Sequence, residues 1–306
     1  MSEKETKNKI TFSIIIPMKN AEEYIKNALE SIAEQGFEDI EIIVIDDNSD
    51  VKDNSKKIVE DWKKEHPLIR IKTFETQDGG RGPGGARNIG LDNASGEYIL
   101  FLDSDDQLNE SSLLSIKNAI HNNPNTDIFV LGYQLTRLDL EENKVNTMNL
   151  EAGNLQESRL FQIGVNTAGS IWNTCMKRTL FDGRNGRDKI RFKENCVFED
   201  LPTKVQLFTR NKKKIKSVKH MTHTQFSRPC KSITGSLKLE DMKRLIDANK
   251  EIANLKSSVD SKDRMYINIR LAMIPTLLSW FVVKCIHNKI DRLRMKKIEK
   301  EIEEMR

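Results

Sequence analysis

Cysteine is scarce in this sequence: Cys175, Cys196, Cys230 and Cys285 stand far apart among 306 residues, with no CxxC and no metal-finger spacing. That excludes a disulfide scaffold and suits free thiols in a reducing compartment. Long apolar runs are missing as well. The most apolar late window, residues 271–283, contains Pro275 and falls short of the ~20 residues of a membrane span. The opening MSEKETKNK is polar and leads straight into an apolar run, so no signal peptide is expected. Charge of one sign is lacking too. Lys and Arg total 50 against 46 Asp and Glu, a net charge of +4, which gives no case for nucleic acid as partner. Basic residues do cluster over 211–220 and 289–297; they read as solvated faces, or as sites for anionic lipid or a phosphorylated ligand. The expectation is a cytoplasmic protein, with contact at the inner face of a membrane left open.

Present instead is alternation. FSIIIP (12–17) and IEIIVID (40–46) are short and nearly all apolar, as strands buried on both faces are. Helical spacing follows each: Tyr24, Ile25, Ala28, Leu29 and Ile32 share one face before Gly36, and Ile58, Val59 and Trp62 mark a second helix. IRIKTF (69–74), EYILFLD (97–103) and DIFVLGY (127–133) complete five strands, with helices near 86–94 and 111–120. This order predicts an α/β fold, a Rossmann-like, mostly parallel sheet flanked by helices. Ligands of such sheets bind beyond the carboxyl ends of the strands, where residues 17–20, 46–50 and 103–106 fall. The pattern breaks down from about Asp139 and becomes helical again beyond Gly235, a C-terminal helical extension. The expected domains are a polar tail (1–10), a main domain (11–235, dividing at about 133), and a helical region (236–306).

Four clusters carry chemistry. In FLDSDD, Asp103 and Asp105 are spaced to reach one hard cation at a turn; a solvated turn, or capping by Asp106 or Asn109 of the helix that follows, is the competing reading. IDDNSD is either an Asx-rich turn or a carboxylate aimed at a base or ribose. GGRGPGGARNIG has six glycines but neither the phosphate-loop pattern nor a dinucleotide fingerprint. It is a flexible linker or a ligand-closing loop with Arg87 reaching a phosphate or base. FED (198–200) is an exposed helix start or a carboxylate of raised basicity.

Together FSIIIPMKN, EIIVIDDNSD, GGARNIGLDNASGEYILFLDSDD, WNTCMKRTLF, FEDLPTKVQLF and RPCKSIT resemble a family-2 glycosyltransferase of the GT-A fold, over roughly residues 11–235. The resemblance implies transfer, with inversion, from a nucleotide-diphospho-sugar, expected as a UDP-sugar, to a saccharide or lipid-linked acceptor of a bacterial surface polysaccharide or glycolipid. It places Pro17, Lys19 and Asn20 at the nucleobase, Asp46 or Asp47 on the base, and Arg87 beside the nucleotide. Asp103, Ser104 and Asp105 would form the DxD motif, with Asp103 on the ribose and Asp103 and Asp105 on Mn²⁺ or Mg²⁺. Asp200, paired with Glu199, would be the general base, and Arg228 and Lys231 would close over the diphosphate. Lys19 stands where the family has an aromatic residue, and THTQFS replaces a tyrosine-rich lead-in. Trp172 matches the family pattern, and core packing explains it equally well. Two alternatives remain: a sugar-phosphate nucleotidyltransferase, whose glycine- and arginine-rich signature PMKNAEEYI lacks, and an inactive nucleotide-sugar-binding module, which a broken acidic set would betray. Asp47, Asp103, Asp105 and Asp200 are all present.

Overall fold

The computed structural model describes residues 11–77, 79–139, 144–150, 170–183, 188–196, 198–227, 241–259 and 261–272. Its nine strands are β1 (Phe12–Met18), β2 (Ile40–Asp46), β3 (Arg70–Glu75), β4 (Tyr98–Phe101), β5 (Gln107–Leu108), β6 (Ile128–Asp139), β7 (Lys144–Leu150), β8 (Thr174–Lys177) and β9 (Ile215–Ser227). They form one sheet in the order β3-β2-β1-β4-β8-β6-β9-β5, with β7 paired to β6. The first four are parallel, and β8 then enters antiparallel between β4 and β6. The helices are α1 (Ile25–Ala33), α2 (Ser55–Glu65), α3 (Gly82–Asn93), α4 (Ser112–Asn122), α5 (Asp200–Arg210), α6 (Met242–Asn254) and α7 (Ser261–Ala272).

Strand alternation divides the core in two. Ile14, Ile16, Ile42 and Val44 pack on the face covered by Leu29 of α1, Trp62 of α2 and Ile116 of α4. Ile15, Ile43 and Ile45 point the other way, onto Ala86 and Leu91 of α3 and, in the same cluster, Val205 of α5, Ile252 of α6 and Ile267 of α7. The described C-terminal helices therefore share the core of the sheet. Gly36 (φ 69°) ends the α1 turn in the left-handed conformation that glycine adopts without a steric penalty.

β9 was not foreseen. Its apolar period is hidden because Lys216, Lys219 and His220 are exposed, and irregular pairing with β6 shifts the register around Gly132. Exposure of these three agrees with the solvated-face reading of that cluster. Residues 211–214, the window 273–283 and the basic stretch 289–297 lie outside the described residues, as do Cys230 and Cys285. Cys175 is a buried thiol, and Cys196 is half-buried.

One buried charge stitches the parallel half together. Glu41 Oε1 accepts bonds from Ser13 Oγ (2.5 Å) and from the N–H groups of Ser95 (2.6 Å) and Gly96 (3.1 Å), and Lys72 Nζ lies 2.8 Å from Oε2. Burial alone would raise its pKa, yet Lys72, Ser13 and Ser95 outweigh it and hold the carboxyl down at about 2. A carboxyl lowered on folding stabilises above its unfolded pKa, and that contribution disappears as pH falls through the folded value. Glu41→Gln is therefore expected to lower stability by about 3 kcal/mol at pH 7. The gap to wild type should narrow as pH falls from 4.5 towards 2. Urea midpoints at pH 7 and pH 3 check it, and an equal gap at both counts against it.

Candidate active site

The carboxyl ends of the adjacent strands β1, β2 and β4 carry residues 17–20, 46–50 and 103–106. Pro17 is buried within β1, and Lys19 and Asn20 are exposed just beyond it. Asn20 (φ 50°) donates Nδ2 to Asp50 (2.9 Å) and accepts the Asp50 N–H (2.8 Å), closing the loops after β1 and β2 on one another. Asp46 is taken up by its own turn: Ser49 donates its N–H and hydroxyl to the two carboxylate oxygens (3.2 and 2.5 Å), and Lys56 lies 3.4 Å away. Asp47 does something different. Its Oδ1 accepts the Arg81 N–H (2.6 Å) and the Thr76 hydroxyl (3.0 Å), so it holds the start of the glycine-rich stretch.

That stretch is not a flexible linker. α3 begins at Gly82, four residues before the expected start, with Pro83 in its first turn. A Cβ on Gly84 would stand 2.4 Å from the Lys193 carbonyl oxygen and 2.9 Å from Glu199 Cγ. Glycine is thus required for close approach rather than for mobility, because α3 lies directly on the segment that carries Glu199.

Arg87 occupies the middle of this contact. Its Nη1 donates to Glu199 Oε1 (2.6 Å) and Asp200 Oδ1 (2.8 Å), and its Nη2 donates to Asp103 Oδ1 (2.9 Å). The guanidinium sits 5.7 Å from the centre of the Phe192 ring. Sequence reasoning put Arg87 beside the nucleotide; the structure commits it to three carboxylates from two distant parts of the chain. Side-chain exposure rises from 4% at Arg87 and 7% at Glu199 to 15% at Asp200 and 30% at Asp103. The open side of the cluster therefore runs through Asp200 and Asp103, and Glu199 lies behind them.

Asp200 is the first residue of α5, so it is a helix start, but it is not an exposed one. Phe198 before it has φ 69°, a strained conformation for a bulky residue, and turns the chain so that both carboxylates meet Arg87. The second oxygen of Asp200 accepts the Ile171 N–H at 3.0 Å. Burial raises the pKa of Glu199, and the Asp200 charge raises it further. Burial likewise raises Asp200, against the pull of Arg87 and the Ile171 N–H. Each carboxylate thus becomes a stronger base than an exposed one.

At the β4 end the three aspartates divide. Asp103 bonds Arg87, and its carbonyl accepts the Asp106 N–H (3.0 Å) to close the turn. Ser104 and Asp105 are half-buried. Asp106 does not cap α4; its Oδ1 accepts the Phe226 N–H (2.9 Å) and pins β9 against the acidic turn. Asn109 does not cap that helix with its side chain either, and donates instead to the Met221 carbonyl at 2.8 Å. Trp172 is buried, with its ring edge-on to Tyr133 (4.7 Å) and to His223 (4.4 Å). Among the described residues no three His, Cys, Asp or Glu side chains gather as a metal cage. No described helix is long and apolar enough to cross a membrane. Arg228 and Lys231 lie outside the described residues. Two participants escaped sequence reasoning, Lys204 and the turn at Ile171. The only signal was a lysine one turn after Asp200, on the apolar face of its helix.

A parallel sheet half that ends in acidic loops, closed by an inserted antiparallel strand and an acidic helix start, is the GT-A glycosyltransferase fold. Solved structures share it. TarS 1–349 of S. aureus in complex with UDP-GlcNAc superposes with a TM-score of 0.64 at 19% identity, covering 95% of this chain and 92% of that one. The mannosyltransferase PcManGT from Pyrobaculum calidifontis, in complex with GDP-Man and Mn²⁺, gives 0.60 at 15% identity over 92% of this chain and 74% of that one. The family model for glycosyl transferase family 2 matches residues 13–181, more than half of the chain, and the chain belongs to that family. Its curated relatives include a GalNAc(5)-diNAcBac-PP-undecaprenol beta-1,3-glucosyltransferase of Campylobacter jejuni, 43% identical over 104 residues, 34% of this chain and 32% of that protein. Another is the minor teichoic acid biosynthesis protein GgaB of Bacillus subtilis, 30% identical over 210 residues, 68% of this chain and 22% of that protein. The chain thus matches about a third or less of the length of these two relatives.

Proposed function

We propose that this protein transfers a sugar, with inversion, from a nucleotide-diphospho-sugar to a saccharide or lipid-linked saccharide during synthesis of a bacterial surface polysaccharide or glycolipid. The observation that carries the reading is Arg87, which binds Asp103 at the end of β4 and Glu199 and Asp200 at the start of α5 at once. Acidic motifs about a hundred residues apart thereby form one site. Asp200 is the base: it is basic through burial, it is held from two sides, and it is more open than Glu199. It takes the proton of the acceptor hydroxyl, whose oxygen attacks the anomeric carbon opposite the nucleotide. Pro17, Lys19, Asn20 and Asp47 line the base end, with Asp46 ordering the loop beneath them. Arg228 and Lys231 are proposed to counter the charge of the departing diphosphate.

A divalent cation fits this donor set. Asp103 is 30% exposed and only one of its oxygens meets Arg87. Asp103 and Asp105 would hold Mg²⁺ or Mn²⁺, which commonly binds through one or two carboxylates and completes its shell with phosphate oxygens. Such an ion would supply Lewis-acid charge at the diphosphate. A UDP-sugar is the donor proposed, since TarS was solved with UDP-GlcNAc. The undecaprenol-linked acceptor named for the Campylobacter relative supports a lipid-linked acceptor, and a place of action at a membrane surface, proposed to be the cytoplasmic one, goes with it.

Incubation with Mn²⁺ or Mg²⁺ and a panel of nucleotide sugars, reading nucleoside diphosphate release, tests the proposal. If no nucleotide sugar is bound or cleaved, it fails. Asp105→Ala should weaken metal-dependent donor binding by about tenfold or more. Calorimetric titration with and without metal measures this, and metal-independent binding at wild-type strength would remove Asp105 from the assignment.

A further inference from the structure

Lys204 is a buried cation that the chemistry above leaves unused. It lies one turn after Asp200 on α5 and is 1% exposed. Its Nζ donates to the Ser170 carbonyl (2.8 Å) and to Asn173 Oδ1 (2.6 Å). The same turn sends the Ile171 N–H to Asp200 Oδ2 at 3.0 Å. The Asn173 carbonyl accepts the Leu131 N–H (2.9 Å), which ties the turn to β6. A closed ring results: Asp200, one turn of helix, Lys204, the turn at Ser170 and Asn173, and back to Asp200 through Ile171.

Charge points the same way. Arg87 alone makes ion pairs with the three carboxyl groups of Asp103, Glu199 and Asp200, so one cation serves three acids in a buried place. The charged groups acting on Asp200 are Arg87 from α3, Asp103 from the end of β4, Glu199 from the segment before α5, and Lys204 from its own helix. On Lys204 the charged group is Asp200, and the Phe208 ring lies 6.0 Å from its Nζ. Burial pushes the Lys204 amine down to about 7, and the Asp200 carboxylate opposes that fall.

We infer that Lys204 is a positioning residue for the base, holding the turn that orients Asp200 and supplying the second positive charge of the cluster. Its kinetic consequence rests on Asp200 being the base of the proposed transfer; its coupling to Asp200 does not. Coupling is tested on the full chain without metal or donor, by NMR titration of lysine labelled with ¹³C at Cε. The Lys204 signal is identified by its absence in Lys204→Arg. In Asp200→Asn the Lys204 titration should move down by about one unit. An unchanged titration overturns the inference whether or not a donor is ever found.

The kinetic arm uses Lys204→Met, which keeps the length of the side chain and removes the charge. Its kcat should fall by about 10²-fold through misorientation of the base, with the donor KM within about twofold of wild type. The acid limb of the kcat profile should shift to higher pH, because Asp200 loses a nearby cation. A residue that only fills space would leave that limb in place. An unmoved limb, or wild-type kcat, overturns the inference. If wild type releases no nucleotide, the proposed function fails, and the NMR titration alone decides the role of Lys204.

Discussion

Asp200→Asn should abolish transfer, lowering kcat by about 10³-fold, while donor affinity stays within about threefold of wild type. The asymmetry follows from geometry. Asp200 is the proposed base and lies on the open side of the cluster, whereas Asp47 and the DxD pair are the groups proposed to meet the nucleotide. Asparagine can accept from Arg87 or from the Ile171 N–H, but not from both, since one oxygen becomes an amide. A stability loss of about 1–2 kcal/mol should accompany the loss of activity. Single-turnover transfer and donor titration separate the two quantities. Loss of donor affinity with turnover preserved would refute the assignment of the base. Glu199→Gln is the informative comparison: it lies deeper, and it should retain more activity than Asp200→Asn.

Arg87→Met is expected to be the most destabilising single change described here. It removes the guanidinium that meets Asp103, Glu199 and Asp200, and breaking a buried charge pair by deleting one partner costs about 3–5 kcal/mol. The sign of its pH dependence can be worked out. Burial raises Glu199 and Asp200 in the folded protein, and without Arg87 both rise further. A carboxyl whose folded pKa lies above its unfolded value stabilises below the unfolded value, and that contribution is lost as pH rises through the folded one. The variant should therefore be closest to wild type near pH 5 and furthest from it near pH 8. Urea denaturation at both values measures this. A wild-type midpoint at pH 8 would show that Arg87 is not what balances the cluster.

The parallel half of the fold was legible because its strands are buried on both faces and therefore nearly uninterrupted. FSIIIP and IEIIVID became β1 and β2, and Gly36 marks the turn after α1. Strands β8 and β9 were not. β8 is four residues long and lies in WNTCMKRTLF, too short for a period, and β9 alternates only until its register shifts at Gly132. The candidate site followed the same division. Residue types at the strand ends were readable from spacing, and Asp103, Glu199 and Asp200 do meet in space. Their partners were not readable. In sequence the glycine-rich stretch reads as a flexible linker or as a ligand-closing loop with Arg87 reaching outward to a phosphate or base. Only the packing of α3 onto the segment carrying Glu199 turns it inward. In sequence Asp106 is a candidate cap for α4, but its carboxylate reaches a strand 120 residues later.

The close approach at Gly84 has a consequence for any attempt to change what this enzyme transfers. With the first turn of α3 lying on the Lys193 carbonyl and Glu199 Cγ, that helix and the segment leading into α5 are fitted to each other without a gap. Grafting the loop after β3 from another family member, or exchanging the acidic helix start alone, would place a foreign backbone against an unaltered one at that contact. The unit that can be exchanged is the pair, residues 79–93 together with 190–204. A chimaera that respects only one side should fold poorly before its specificity can be read at all.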